Sequence, residues 1–159
     1  MPYGNGVIGG TLSVLSQALF GPNNATGNFA SSLASVTSTN SNVTLVLFSG
    51  SAQAFNTALS NGQISQSELD SISQIVYVSP GSPGGFGNPQ YSDGSSIPTA
   101  TYTGQGFVDG LVTGSNINGM PSSTPIDGCG HSLLCDLNAT DSDGDPAIGE
   151  LPDESNCAN

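Results

Sequence analysis

Residues 43–61 read VTLVLFSGSAQAFNTALSN and decide the fold class. Val43 to Phe48 is a short run of β-branched and apolar residues without alternation, which predicts a strand buried on both faces. Ser51 to Asn61 follows at once, with apolar residues at helical spacing from Ala52 to Leu59 and an Asn-Gly pair that ends the helix. A strand that passes directly into an amphipathic helix is typical of the opening of a βαβ unit.

The next segments complete that unit. Ser65 is followed three residues later by Glu68, a capping box that predicts a second short helix reaching Ile72. Ile75 to Val78 reads IVYV and predicts a second buried strand, which is broken by Pro80 and a Gly/Pro-rich loop. Strand, helix and strand within one short stretch predict a right-handed connection and a parallel sheet. The sequence therefore predicts an α/β domain with a mostly parallel sheet.

Three zones differ in composition. Residues 1–42 are rich in Gly, Asn and Ser, and we predict two amphipathic helices there, through Leu12 to Phe20 and through Phe29 to Val36. Residues 127–159 hold eight of the twelve acidic side chains and all three cysteines, an odd number that permits one disulfide and one free thiol. We expect an α/β domain over 1–131 and a loop-rich acidic tail over 132–159.

The charge of the chain excludes whole classes of partner. Lysine and arginine are absent and aspartate plus glutamate number 12, which gives a formal net charge of −12. Nucleic acids and anionic membrane surfaces bind through cationic side chains, so neither is an expected partner. No stretch has the roughly 18 apolar residues that a membrane span needs. Sequons at Asn24, Asn42 and Asn138 and a neutral Ser/Thr/Asn-rich composition favour an extracellular or cell-wall setting.

Ser49 stands where the first predicted strand passes into the helix. In α/β-hydrolases this junction is the nucleophile elbow, a sharp turn that lifts a serine hydroxyl above the sheet edge. Gly50 and Ser51 provide the small residues that the turn needs on one side, while Leu47 occupies the place of the first glycine of G-x-S-x-G. The alternative is that Ser49 or Ser51 is an ordinary helix N-cap.

A serine nucleophile needs a base, and His131 is the only histidine. Asp109 follows a β-rich segment and is the candidate for the acid that orients it. The order Ser49, Asp109, His131 is the order of the α/β-hydrolase triad. The alternatives for His131 are a surface loop residue or a zinc ligand beside Cys129 and Cys135, a set without regular spacing or a clear fourth ligand.

Four segments resemble a known family when they are taken in order. Leu47 to Gln53 reads LFSGSAQ, Val78 to Gly85 reads VSPGSPGG, Ile97 to Gly110 reads IPTATYTGQGFVDG, and His131 follows 22 residues after Asp109. They are similar to the elbow, the Gly/Pro loop, the Y-P-T-x-x-Y-T segment with its aspartate, and the histidine of the PE-PPE domain. That family contains serine α/β-hydrolases of actinobacterial cell-envelope proteins, related in fold to cutinases.

The resemblance covers residues 43–131, with a fainter likeness over Thr11 to Leu19. The elbow lacks the family's first glycine and its glutamine, and the family's first strand with its oxyanion loop is missing or reduced to Gly4 to Gly10. The resemblance implies a shortened or divergent member with a small α/β-hydrolase-like fold. It also implies ester hydrolysis by Ser49 without a required cofactor.

The implied mechanism assigns one role to each residue. His131 takes the Ser49 proton, Asp109 holds the imidazole, and the Gly50 backbone N–H supplies half of an oxyanion hole, whose second donor is unassigned. The absence of lysine and arginine leaves no clamp for an anionic substrate, so the expected substrate is a small neutral acyl ester.

The acidic tail favours an alternative function of another class. Asp141, Asp143 and Asp145 alternate as in the opening of calcium loops, but Pro146 and Pro152 stand where an EF-hand has its glycine and glutamate. On this interpretation the protein is a non-catalytic extracellular or cell-surface module that binds calcium through its tail. A plain solvated acidic tail is the third alternative.

Overall fold

The computed structural model describes residues 24–105, 107–114, 116, 120–126 and 139, with the backbone alone for residues 24 and 107–109. Helices are interleaved with strands along the described chain, and their bounds are α1 (Asn24–Thr37), β1 (Val43–Phe48), α2 (Gly50–Ser60), α3 (Gln66–Asp70), β2 (Ile72–Val78), β3 (Thr99–Gly104), α4 (Phe107–Gly114) and β4 (Thr124–Ile126). The strands form one four-stranded sheet in the order β1-β2-β3-β4, and every neighbouring pair is parallel. The predicted α/β class and the parallel sheet are confirmed.

Helix α2 ends in a Schellman motif that its sequence encodes. The N–H of Gln63 bonds to the carbonyl of Ala58 at 2.9 Å, and the N–H of Gly62 to that of Leu59 at 3.1 Å. The motif requires a residue in the left-handed conformation just after the helix, and Gly62 fills this position with a φ of 66°. The predicted stop at the Asn-Gly pair is therefore confirmed, with α2 beginning at Gly50.

Helix α3 is shorter than the predicted segment. The capping box between Ser65 and Glu68 is present in both directions, as predicted. The helix ends at Asp70, however, and Ile72 is the first residue of β2, where it pairs with Val43. Burial explains the difference, because Ile72 is 1% exposed within the core and pairing in the sheet prevails over a further helical turn.

The two faces of the sheet carry separate apolar clusters. The larger cluster joins Leu47, Ile75 and Tyr77 to the helices, whereas the smaller lies around Val76 and Val78. Strand β2 is interior and largely buried. Strand β1 lies at one edge of the described sheet, and only Leu47 among its six residues is fully buried. Leu45 and Leu47 pack with the larger cluster and Val46 and Phe48 with the smaller, so both faces of β1 are covered as predicted, although five of its six residues are only half-buried.

Helix α1 packs on α2 and confirms the predicted helix through Phe29 and Leu33. The Phe29 and Phe55 rings meet edge to face with centroids 6.0 Å apart, and Leu33 is buried. Val36 is 46% exposed, so the apolar stripe ends before it. The predicted helix through Leu12 to Phe20 lies outside the described residues. Within the described chain, none of the helices has the length and hydropathy to cross a bilayer.

Candidate active site

The turn between β1 and α2, residues 48–50, is the elbow, and its backbone is strained. Ser49 has φ 52° and ψ −127°, a conformation that residues other than glycine rarely adopt. Because the strand ends at Phe48 and the helix begins at Gly50, this one residue makes the whole change of direction. Conformations of this kind cost about 1–3 kcal/mol and persist where the surrounding structure holds them.

Neither serine of the turn caps the helix with its side chain. Ser49 occupies the N-cap position, but its side chain makes no capping hydrogen bond. Ser51 lies inside α2 and donates from its hydroxyl to the Phe48 carbonyl at 2.7 Å, whereas an N-cap oxygen accepts from a backbone N–H. Ser49 is therefore the N-cap residue of α2 by position, but neither serine caps the helix through its side chain. Among the residues that the structure describes, the half-buried Ser49 has no partner for its hydroxyl.

Small residues allow the helix to begin directly against the strand. Gly50 is buried at the first position of α2, and Ala52 is fully buried one position beyond Ser51. The Ala52 N–H bonds to the Ser49 carbonyl at 3.2 Å, which ties the elbow to the first helical turn. A helix N-terminus carries partial positive charge on its free N–H groups. The role predicted for the Gly50 N–H is consistent with this position and stays a prediction.

The loop after β2, residues 79–89, packs on the elbow. The Gly81 N–H donates to the Ser49 carbonyl at 3.0 Å. A methyl group at Gly81 would lie 3.0 Å from Val112 Cγ1 and 3.8 Å from the Ser49 carbonyl oxygen, so only glycine fits without displacement. Gly81 therefore fills the narrow space between the elbow and α4.

Two buried amides of α2 hold this loop, and sequence analysis missed both. Gln53 Oε1 accepts from the Gly84 N–H at 3.0 Å, and Asn56 Oδ1 accepts from the Gly87 N–H at 2.8 Å. The Tyr77 hydroxyl also donates to Asn56 Oδ1, at 3.4 Å. Burial raises the pKa of Tyr77, so its phenol stays protonated and able to donate.

A signal for these amides was present in the helical spacing. Gln53 and Asn56 are three positions apart, so they share a face of α2, and both are nearly fully buried. Long polar side chains on the buried side of a helix indicate buried backbone groups opposite them, because buried donors need acceptors. The Gly/Pro loop supplies those donors.

Asp109 stands in the first turn of α4. The prediction expected it at a strand end, and β3 does end shortly before it, at Gly104, but α4 begins at Phe107 and includes residue 109. Val112, one helical turn later, lies against Gly81. The backbone of α4 is thus brought beside the elbow.

The remaining predicted site residues lie outside the described part of the chain. His131, Cys129, Cys135 and the three tail aspartates Asp141, Asp143 and Asp145 all belong to this group, and the triad base, the zinc alternative and the calcium ligands stay predictions. Among the described residues, no three His, Cys, Asp or Glu side chains come together as a metal site. The expected boundary between domain and tail, at residues 131 and 132, falls between the described residues 126 and 139.

Comparison with known proteins gives no relative. No family model matches the chain, and neither the curated proteins nor the solved structures contain a significant match. The likeness to the PE-PPE domain therefore rests on the quoted segments alone.

Proposed function

We propose that this chain is a serine hydrolase of neutral acyl esters, built on a small α/β-hydrolase-like domain. The observation that carries the proposal is the elbow. Ser49 stands at the N-cap position between a parallel strand and its helix without capping the helix through its side chain, in a conformation that costs free energy, and its hydroxyl is bonded to none of the described residues. Strain at such a junction is typical of a nucleophile elbow.

The topology supports the proposed triad. Because all strands are parallel, their carboxyl ends share one edge of the sheet, where Ser49 follows β1 and Asp109 follows β3. His131 comes five residues after the end of β4 at Ile126. Five extended residues span up to about 18 Å, and the three strand spacings from β4 to β1 amount to about 14 Å. The length of the chain therefore allows His131 to reach Ser49.

The proposed reaction has two steps. Ser49 Oγ attacks the ester carbonyl while His131 accepts its proton and Asp109 holds the imidazole in place. The Gly50 N–H stabilises the negative charge on the carbonyl oxygen. The alcohol leaves with the proton from His131, and the acyl group stays on Ser49 Oγ as an ester. A water molecule, deprotonated by His131, then attacks this ester; the acid leaves and His131 returns the proton to Ser49 Oγ.

The surroundings of the elbow favour an uncharged substrate. The chain has no lysine or arginine to bind an anion. On α4, Val112 lies against Gly81, which bonds to the Ser49 carbonyl, so one apolar side chain lies near the elbow, and its neighbour Leu111 is 57% exposed. An acyl chain would be desolvated there at a gain of roughly 0.8 kcal/mol for each buried CH₂.

The test is hydrolysis of short and medium p-nitrophenyl esters by the full chain and by Ser49→Ala, Ser51→Ala and His131→Ala. We expect the Ser49 and His131 variants to lose activity by at least about 10³-fold, because each removes a member of the triad. Ser51→Ala is the matched control, since it removes a hydroxyl two positions away that bonds only to Phe48.

A serine-directed fluorophosphonate gives an independent measurement on the same proteins. We expect it to label the parent and Ser51→Ala at residue 49. Full activity in Ser49→Ala would refute the proposal. An inactive, unlabelled parent with an intact circular dichroism spectrum would favour the non-catalytic module, and a rise in melting temperature with calcium would then support that alternative.

A further inference from the structure

Asn116 joins the end of α4 to the loop that supports the elbow. Its backbone N–H bonds to the Thr113 carbonyl at 3.1 Å. Its side-chain Oδ1 accepts from the Ser82 N–H at 2.6 Å, and its Nδ2 donates to the Pro80 carbonyl at 2.9 Å. One amide thus binds the backbone on both sides of Gly81.

Gly81, which lies between Pro80 and Ser82, bonds to the backbone of Ser49. Gly81 donates its N–H to the Ser49 carbonyl at 3.0 Å, and Val112 of α4 lies on its other side, where it would touch a side chain at this position. Ser49 stays at positive φ only while its neighbours fix it there. The contacts therefore run from Asn116 through Gly81 to the backbone of Ser49.

We propose that Asn116 is the positioning residue of the elbow: by binding Pro80 and Ser82 it presses the Gly81 N–H onto Ser49 and holds the serine in its reactive conformation. This inference rests on the proposed function for its catalytic consequence, but the structural step can be measured without it. The amide side chain supplies on two separate atoms the donor that the Pro80 carbonyl needs and the acceptor that the Ser82 N–H needs.

The experiment compares Asn116→Ala and Asn116→Asp with the parent chain. The aspartate keeps an acceptor for Ser82 and loses the donor to Pro80, so its effect should be intermediate. Asn40→Ala is the control, because it removes an exposed side-chain bond to the Val36 carbonyl, 2.8 Å long, in the segment that precedes β1. Amide hydrogen exchange at Gly81 and Ser82 is followed by NMR, together with kcat and KM for a p-nitrophenyl ester.

We expect exchange at Gly81 to rise about tenfold in Asn116→Ala, as expected for the loss of hydrogen bonds of ordinary strength, with the core amide of Val76 unchanged. We also expect kcat to fall about 10- to 100-fold with KM nearly constant, because a displaced nucleophile affects the reaction more than binding.

Unchanged exchange at Gly81, or an equal rise in Asn40→Ala, would overturn the assignment. So would a rise in KM without a fall in kcat. If the parent has no esterase activity, the proposed function fails, and the exchange result alone then decides whether Asn116 holds the elbow.

Discussion

Ser49 is the proposed nucleophile, and the free-energy cost of its backbone conformation can be measured separately from that role. The cost comes from a Cβ atom on a residue with φ 52°, so it is the same for serine and for alanine. Glycine has no Cβ and populates positive φ readily. The strain of the elbow can therefore be measured by comparing the stabilities of Ser49→Gly and Ser49→Ala, which both lack the hydroxyl.

We expect Ser49→Gly to be more stable than Ser49→Ala by about 1 kcal/mol, the strain relieved less the extra chain entropy of glycine. Urea denaturation of both variants measures the difference. The same pair at Ser51 is the control, and there we expect the opposite sign, because a glycine in a helix costs about 1 kcal/mol relative to alanine. A Ser49→Gly variant that is the less stable of its pair would show that the elbow is unstrained.

Among the elements, those with strong local patterns were predictable. The run Val43 to Phe48, the helical spacing after Ser51 and the capping box at Ser65 all correspond to elements at or near the predicted bounds. Local patterns do not reveal a strand's neighbours, however. The edge position of β1 and the early start of β2 at Ile72 depend on pairing between distant segments.

The candidate site divides in the same way. Ser49 could be found because a strand and a helix meet at one small residue. The contacts of Gly81 with Ser49 and of Asn116 with Ser82 join residues 32 and 34 positions apart. Neither contact leaves a periodic signal, so they became visible only in the packed structure.

Two exposed carboxylates, Asp70 at the end of α3 and Asp93 in the turn at residues 91–95, accept hydrogen bonds that depend on pH. Asp70 accepts from the Gln66 side chain at 3.0 Å and from the Ser92 N–H at 2.8 Å, and these bonds, the Gln66 bond first, lower the pKa of Asp70. The Ser95 hydroxyl and N–H likewise lower the pKa of Asp93. In both cases the charged form is the better acceptor.

A folded-state pKa below the unfolded value stabilises the fold above the unfolded pKa, near 4, and the contribution is lost as pH falls through the folded pKa. We therefore expect Asp70→Asn to be less stable than the parent at pH 7 and to approach it below about pH 3. Chemical denaturation across this pH range measures the difference. A difference in the free energy of unfolding between Asp70→Asn and the parent that persists below about pH 3 would show that the charge of Asp70 is not its cause.

For the molecule as a whole, every fixed side-chain charge at neutral pH is negative. Self-repulsion opposes the compact state, and salt screens it, since the Debye length falls from about 30 Å at 0.01 M to about 3 Å at 1 M. We expect the melting temperature to rise between these sodium chloride concentrations. Asp93→Asn should show a smaller rise, because the Asp70 carboxylate opposes the charge of Asp93. A melting temperature that stays level or falls would refute the expectation.

The strand order β1-β2-β3-β4 repeats the order of synthesis. Each new strand pairs with the one made just before it, which keeps contacts local and allows a nascent chain to extend the sheet one strand at a time. The contacts of the elbow cannot all form when β1 is synthesised, because Gly81 and Asn116 are translated later. A ribosome-bound chain that ends before residue 116 would therefore carry Ser49 without its complete support.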